Sequence, residues 1–368
     1  MRLICKACPN GCALRLERRS EALVVVHGNR CARGVAHAAA VNRGTWPGAY
    51  RSAAPAERFS REVLSQALAA WGLAFDRDLP ELFIQGSPDR SDFRTAVADA
   101  LGGRYVLEML EPHQVDRRAR IADRLRALSG LGLPVISYAP GLDGASVQRV
   151  AGQCWQLSAF VPGEPLDRTR YWQESWRGEA LADFLAGLYA NTRGADWSTG
   201  PAFSLPGYID RLLQTIGARH PRLLSELREV VALVKGELYP VFDALPQRFC
   251  HGDPHPMNVL WGADGIRAVI DWEFSGLRPL VYDAALIIGC VGAEARGALD
   301  GAFLEAFRRR LGEREVFAPE FAKLLPLFTV AQRFAWLSEW LRRDDREMVE
   351  FECFYMNLLR RRKEEGLG

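Results

Sequence analysis

The stretch Phe249–Trp261, FCHGDPHPMNVLW, decides how the rest of the chain is read. It sets a histidine, an acid, a second histidine and an asparagine between two apolar flanks. Such flanks read as strand ends, and the Gly- and Pro-containing centre as a loop. Phosphoryl transfer asks for an acid that orients the attacking hydroxyl, and for oxygen ligands that hold Mg²⁺ on the phosphates. Asp253 can accept a hydroxyl proton, and Asn258, five residues on, can offer its side-chain oxygen to a metal. Mg²⁺ prefers hard oxygens, so a carboxylate is expected nearby. Asp271 in AVIDWE ends a β-like run thirteen residues after Asn258. Two strands around the loop predict Asp253, Asn258 and Asp271 on one edge of a small hairpin. His251 and His255, four apart in a Pro-containing loop, do not share a helix face, so a histidine-metal site is not expected.

At 368 residues the chain is long enough for two or three domains, or for one two-lobed fold with an appendage. An apolar share of 48% and a charged share of 25% predict a globular protein with a real core. A net charge of +2 gives no nucleic-acid footprint. The opening MRLICKACPNGC has no apolar run of signal length, and no segment approaches membrane-spanning length. Cytoplasmic placement is the expectation, with a small molecule rather than nucleic acid or membrane as partner.

Residues 1–42 read as a Cys-rich unit containing a short hairpin, ALRLERR…ALVVVHGNRC, and residues 43–60 as a linker. Ser60 is the expected N-cap of a helix in SREVLSQALAAWGL. From 61 to 160 the pattern predicts a small antiparallel sheet with strands LFIQG, FRTAVAD, RYVLEML, LPVISY and CWQLSAF. One polar helix, VDRRARIADRLRALSGLG, lies among them. Residues 161–368 are mainly helical. The expected class is α+β, with a sheet lobe, a larger helical lobe and a Cys-rich N-terminal domain.

From about residue 60 onward the chain resembles the aminoglycoside phosphotransferase and choline kinase family, a branch of the protein-kinase-like fold. HGDPHPMN is similar to its catalytic loop, IDWE to its metal-binding segment, and PLVYDAA to the stretch whose acid braces that loop. The resemblance implies ATP and Mg²⁺, Asp253 as base, Asn258 and Asp271 as Mg²⁺ ligands, and Asp283 as the brace. His251 and His255 would shape the loop. QGSPDRSDF would cover the phosphates through Gly86 and Ser87, and CWQLSAFVPG would meet adenine near Ser158, Ala159 and Phe160. The acceptor would be a hydroxyl of a small metabolite such as a sugar, amino alcohol or aminoglycoside-like compound. Aromatic residues at helical spacing in the helical part, including Tyr171, Trp176, Trp336 and Trp340, read more readily as core than as pocket.

One departure stands out. The family commonly carries a phosphate-binding basic residue in the third strand, where RYVLEML has Glu108, and no lysine occurs between Lys6 and Lys235. A carboxylate about 4 Å from a phosphate would cost roughly 4 kcal/mol at an intermediate dielectric. Glu108 is therefore expected to turn away or to be neutralised by an arginine. The candidates are Arg94 and the helix residues Arg117, Arg118, Arg120 and Arg124, one of which would serve the phosphates.

Four of the eight cysteines lie in the first 31 residues, as C-x2-C-x3-C-x18-C at Cys5, Cys8, Cys12 and Cys31. Thiolates so spaced can enclose a [4Fe–4S] cluster or a zinc ion. The pattern resembles the N-terminal cluster-binding module of molybdopterin oxidoreductases, and such a site could sense redox state or metal, dock a partner, or only stabilise the unit. A second reading of the whole chain is a catalytically weak nucleotide-binding regulator carrying such a module.

Overall fold

The computed structural model describes residues 2–4, 13–20, 23–27, 32–42, 49–52, 59–85, 93–194, 197–198 and 203–367. The chain divides into two compact units, Met1–Arg126 with Ile136–Pro162, and Ala127–Val135 with Gly163–Gly368.

The first unit begins with β1 (Arg2–Ile4), β2 (Ala13–Ser20), β3 (Leu23–His27), α1 (Ala32–Asn42) and β4 (Ala49–Ser52). These strands form one sheet in the order β1-β2-β3-β4. The β2–β3 pair is the antiparallel hairpin of ALRLERR and LVVVH. β4 pairs parallel with β3 across the α1 crossover, so residues 49–52 are strand where the Gly/Pro-rich composition predicts linker. Alternation puts Leu14, Leu16, Val24 and Val26 into the interior.

Next come α2 (Arg61–Ala69), β5 (Phe75–Asp78), β6 (Phe93–Asp99), β7 (Arg104–Leu110), α3 (Val115–Gly130), β8 (Gln148–Val150) and β9 (Gln153–Ala159). Ser60 caps α2, its hydroxyl accepting from the Val63 N–H at 3.3 Å. The strands make an antiparallel sheet in the order β5-β6-β7-β9-β8. Leu64, Leu68 and Trp71 follow helical spacing and meet Val97, Leu107, Met109, Trp155 and Leu157 in one core. Because side chains alternate along a strand, Glu108 falls on the opposite face from Leu107 and Met109.

Two expected strands are absent. LFIQG makes no ladder over its described residues, and Phe83 is exposed. LPVISY contributes only single-residue bridges, Val135 to Val269 and Tyr138 to Ser158. The outer strand is FDRD instead, three of whose four residues are charged, which suits a sheet edge facing water.

The second unit contains α4 (Ser175–Asn191), α5 (Leu205–Arg219), α6 (Pro221–Glu226), α7 (Arg228–Leu233) and α8 (Tyr239–Phe242), then β10 (Gln247–Cys250), β11 (Val259–Trp261), β12 (Ile266–Val269) and β13 (Gly276–Pro279). It closes with α9 (Tyr282–Gly292), α10 (Ala302–Glu313), α11 (Pro319–Ala322), α12 (Leu325–Arg342) and α13 (Arg346–Glu364). α4 lies against α10 with little between the backbones. A Cβ at Gly178 would strike the Phe303 carbonyl, so glycine is required there. Asp183 adds ion pairs to Arg310 at 2.9 Å and Arg314 at 2.6 Å. A buried, two-pronged pair ties α12 to α13, Arg333 to Glu352 at 2.6 and 2.7 Å. No helix among the described residues is long and apolar enough to cross a membrane.

Candidate active site

Two short hairpin pairings build the site. β10 pairs with β13, and β11 pairs with β12. The loop between β10 and β11 carries His251 to Asn258, and Asp271 follows β12. The Val259–Val269 register brings the flanking residues together, and the Ile270 N–H donates to the Asn258 carbonyl at 2.9 Å. Asn258 and Asp271 thus flank the open end of one hairpin.

The backbone at His251 and Gly252 is held by a buried acid. Asp283, in the first turn of α9, accepts from the His251 N–H at 2.7 Å and the Gly252 N–H at 2.9 Å. Burial pushes its carboxyl up to about 7, while those two N–H groups and the Arg278 charge pull the other way. Gly252 has φ +85, and a Cβ there would run into the Phe274 carbonyl. Only glycine meets both conditions without strain.

His251 is fully buried and bridges the two hairpins. Its Nδ1 accepts from the Asp253 N–H at 3.1 Å, so the ring proton sits on Nε2, which donates to the Ile270 carbonyl at 2.8 Å. Trp272 packs against this ring, centroids 4.4 Å apart. His255 faces Asp253 Oδ1 at 3.7 Å through Nε2, and its Nδ1 accepts from the Met257 N–H at 3.2 Å. Both histidines therefore shape the loop through hydrogen bonds.

Asn258 donates through Nδ2 to the Asp253 carbonyl at 2.9 Å and to Asp253 Oδ2 at 3.2 Å. That fixes the amide plane and turns Oδ1 away from Asp253. No donor to Oδ1 occurs among the described residues. Asp271 adopts φ 64, ψ 55, a left-handed conformation uncommon outside glycine. An amide oxygen and a carboxylate at one hairpin end suit Mg²⁺, which takes one or two protein oxygens and completes its shell with phosphate and water. Groups of three or more His, Cys, Asp or Glu side chains able to hold a metal do not occur among the described residues.

In the sheet unit, Arg94, Glu108 and Gln156 stand opposite one another on three neighbouring strands. Arg118 reaches this row from α3, donating to Glu108 Oε2 at 2.8 Å, Gln156 Oε1 at 2.9 Å and the Tyr138 hydroxyl at 3.0 Å. Arg94 lies 3.7 Å from Glu108 Oε1. The arginine that neutralises Glu108 is thus Arg118, with Arg94 adding its field, and the cluster is buried. Arg120 is exposed on the same helix.

Of the expected nucleotide residues, Ser158 and Ala159 end β9, where they pair with Val106 and Tyr105. The Phe160 N–H donates to the Arg104 carbonyl at 2.9 Å, which continues the β7–β9 pairing by one residue. Gly86, Ser87, Cys5, Cys8, Cys12 and Cys31 lie outside the described residues. The helical aromatics fill the interior. Tyr171 is buried on Phe303, Trp176 stands edge-on to Trp261, and Trp340 donates to Glu352 at 3.4 Å. Gly252 and Trp272 sit inside HGDPHPMN and IDWE without having been given a role there, and Arg278 lies outside every quoted motif. The signal for Gly252 was present, because HGD places a glycine inside an otherwise rigid loop.

Residues 85–325 match the model of the phosphotransferase enzyme family. Homoserine kinase of Methylobacillus flagellatus is 27% identical over 251 residues, 64% of this chain and 72% of the relative. Homoserine kinase of Methylobacillus glycogenes is 26% identical, over 58% of this chain and 67% of its own. Among solved structures, a microcompartment-associated aminopropanol kinase has a TM-score of 0.59 at 20% identity, covering 83% of this chain and 98% of its own. Amicoumacin kinase hAmiN in complex with AMP-PNP, Ca²⁺ and its antibiotic also gives 0.59, at 15% identity over 84% and 94%. These structural likenesses speak for a fold with a sheet lobe and a helical lobe. The chain belongs to the phosphotransferase enzyme family and transfers a phosphoryl group to a hydroxyl acceptor.

Proposed function

We propose that the chain is an ATP-dependent kinase of a small hydroxylated amine or amino acid, with Asp253 as the base. The observation that carries this reading is the hairpin end itself, which gathers Asp253, Asn258 and Asp271 under the brace of Asp283. The acceptor oxygen attacks the γ-phosphorus, the bond from that phosphorus to the β,γ-bridging oxygen breaks, and ADP leaves. Asp253 takes the hydroxyl proton. Asn258 Oδ1 and the Asp271 carboxylate are the residues to hold Mg²⁺, which would neutralise charge on the phosphates.

The homoserine kinases among the relatives and the aminopropanol kinase fold both favour an acceptor bearing an amine and a short hydroxylated chain. Ser158, Ala159 and Phe160 are the adenine-side candidates, with Gly86 and Ser87 over the phosphates. With Arg118 occupied by Glu108, the phosphate-side cation is sought at Arg120 and Arg124. An ADP-release assay over homoserine, aminopropanol, choline, sugars and aminoglycosides tests the acceptor. Turnover on homoserine or aminopropanol at least tenfold above every sugar is expected. Preferred turnover on a sugar would overturn the acceptor class while leaving the kinase reading intact. Unchanged ATP affinity in both Arg120→Ala and Arg124→Ala would remove the arginine substitution.

A further inference from the structure

The helical unit holds a cavity of about 380 Å³ that none of the site residues above lines. That volume falls within the roughly 300–1,000 Å³ of small-molecule pockets. Ile288, Leu299, Leu311 and Leu359 give it apolar walls, drawn from α9, α10, α13 and the segment before α10. Its charged lining is one-sided, because Arg308, Lys323 and Arg362 contribute and no Asp or Glu does.

Arg362 is neutralised by Asp300, to which it donates through both terminal nitrogens. Lys323 is exposed at the rim and makes no ion pair among the described residues. Arg308 is the unusual one. It is half-buried, its Nη1 donates to the Leu299 carbonyl at 3.1 Å, and its other nitrogens have no partner among the described residues. Burial and the neighbouring Arg362 hold its pKa below the ordinary arginine value, with Asp300 offsetting them only in part. A partly desolvated cation whose nearest acid, Asp300, is hydrogen-bonded to a different arginine is unfavourable unless something else supplies the charge.

We propose that this cavity binds an amphipathic carboxylate, a straight-chain or aryl acid whose apolar body lies among Ile288, Leu311 and Leu359. Its carboxylate meets Arg308. The unused guanidinium edge is a planar fork that matches two carboxylate oxygens. One negative charge is enough, since Asp300 already answers Arg362.

Calorimetric titration of the full chain with decanoate and with 1-decanol tests the assignment. Decanoate is expected to saturate one site per chain and to bind at least about tenfold more tightly than the alcohol. Arg308→Gln should weaken decanoate at least about tenfold, and Arg308→Lys, which keeps the charge but not the fork, should fall between. Equal affinity for acid and alcohol, no saturable binding, or an Arg308→Gln variant that binds like the parent would overturn it. The acid-against-alcohol comparison uses the parent protein and decides the matter even if the variant fails to fold.

Discussion

The loop Phe249–Trp261 and the strand β7 each carry an acid that must be kept in place, and they do it with different chemistry. Around Asp253 the Asn258 side-chain amide donates to the carboxylate at 3.2 Å and the His255 ring faces it at 3.7 Å, while the residue's own N–H donates to the His251 ring. Around Glu108 they are a guanidinium at 2.8 Å, a second at 3.7 Å and a tyrosine hydroxyl at 3.2 Å. Dipoles orient a carboxylate without cancelling its charge, whereas a buried guanidinium cancels it. The first arrangement suits a base, the second a strut. Their dissimilarity separates the acid proposed as the base from the acid that holds a sheet to a helix.

The largest expected effect is on the loop. Asp253→Asn should lower turnover by roughly 10²- to 10⁴-fold, the range general bases supply, with ATP affinity changed by less than about threefold. Stopped-flow turnover and equilibrium nucleotide titration together check it. On the strand the same kind of change should strike stability first. Arg118→Ala strands a buried Glu108 and should cost about 3–5 kcal/mol in urea unfolding. The reversed pair, Glu108→Arg with Arg118→Glu, should recover more than half of that. A full loss of turnover in the reversed pair at normal stability would mean that the strut also serves the nucleotide.

Next comes Gly252→Ala, which adds a Cβ at a left-handed backbone and against the Phe274 carbonyl. About 3 kcal/mol of destabilisation is expected, read as a lowered thermal midpoint. The last test is a pH dependence through Asp283. Its folded value of about 7 lies above the ordinary 3.8, so the native state keeps a proton that the unfolded chain has released. Its contribution to stability is therefore full below 3.8 and is lost as pH rises through about 7. Activity runs the other way, because the two N–H bonds to the loop are strongest to the carboxylate. Turnover should fall roughly tenfold per unit below about pH 7, and Asp283→Asn should flatten both profiles.

Much of the site could be read in advance, because its members are close in sequence. Asp253, Asn258 and Asp271 span nineteen residues, and a short loop between two hairpin strands leaves them few ways to be apart. The edge strand FDRD was harder, since charged residues argue against strand wherever the sheet edge is unknown. LFIQG erred in the opposite sense, being apolar enough for a strand but left without a ladder. That Glu108 would need an arginine followed from the absent lysines, but the choice of Arg118 among four depended on helix phase against β7. The cavity at Arg308 had no local signal, as its lining is collected from residues 288 to 367.

His251 has a consequence beyond loop shape. One nitrogen receives the Asp253 amide and the other gives to Ile270, the residue before Asp271. An uncharged aromatic ring has a fixed width and no internal rotor. The spacing between the loop that carries Asp253 and the strand end that carries Asp271 is thus gauged by a covalent object. On the proposed kinase reading, the distance between these two acids is therefore set inside the loop itself, whatever acceptor is bound.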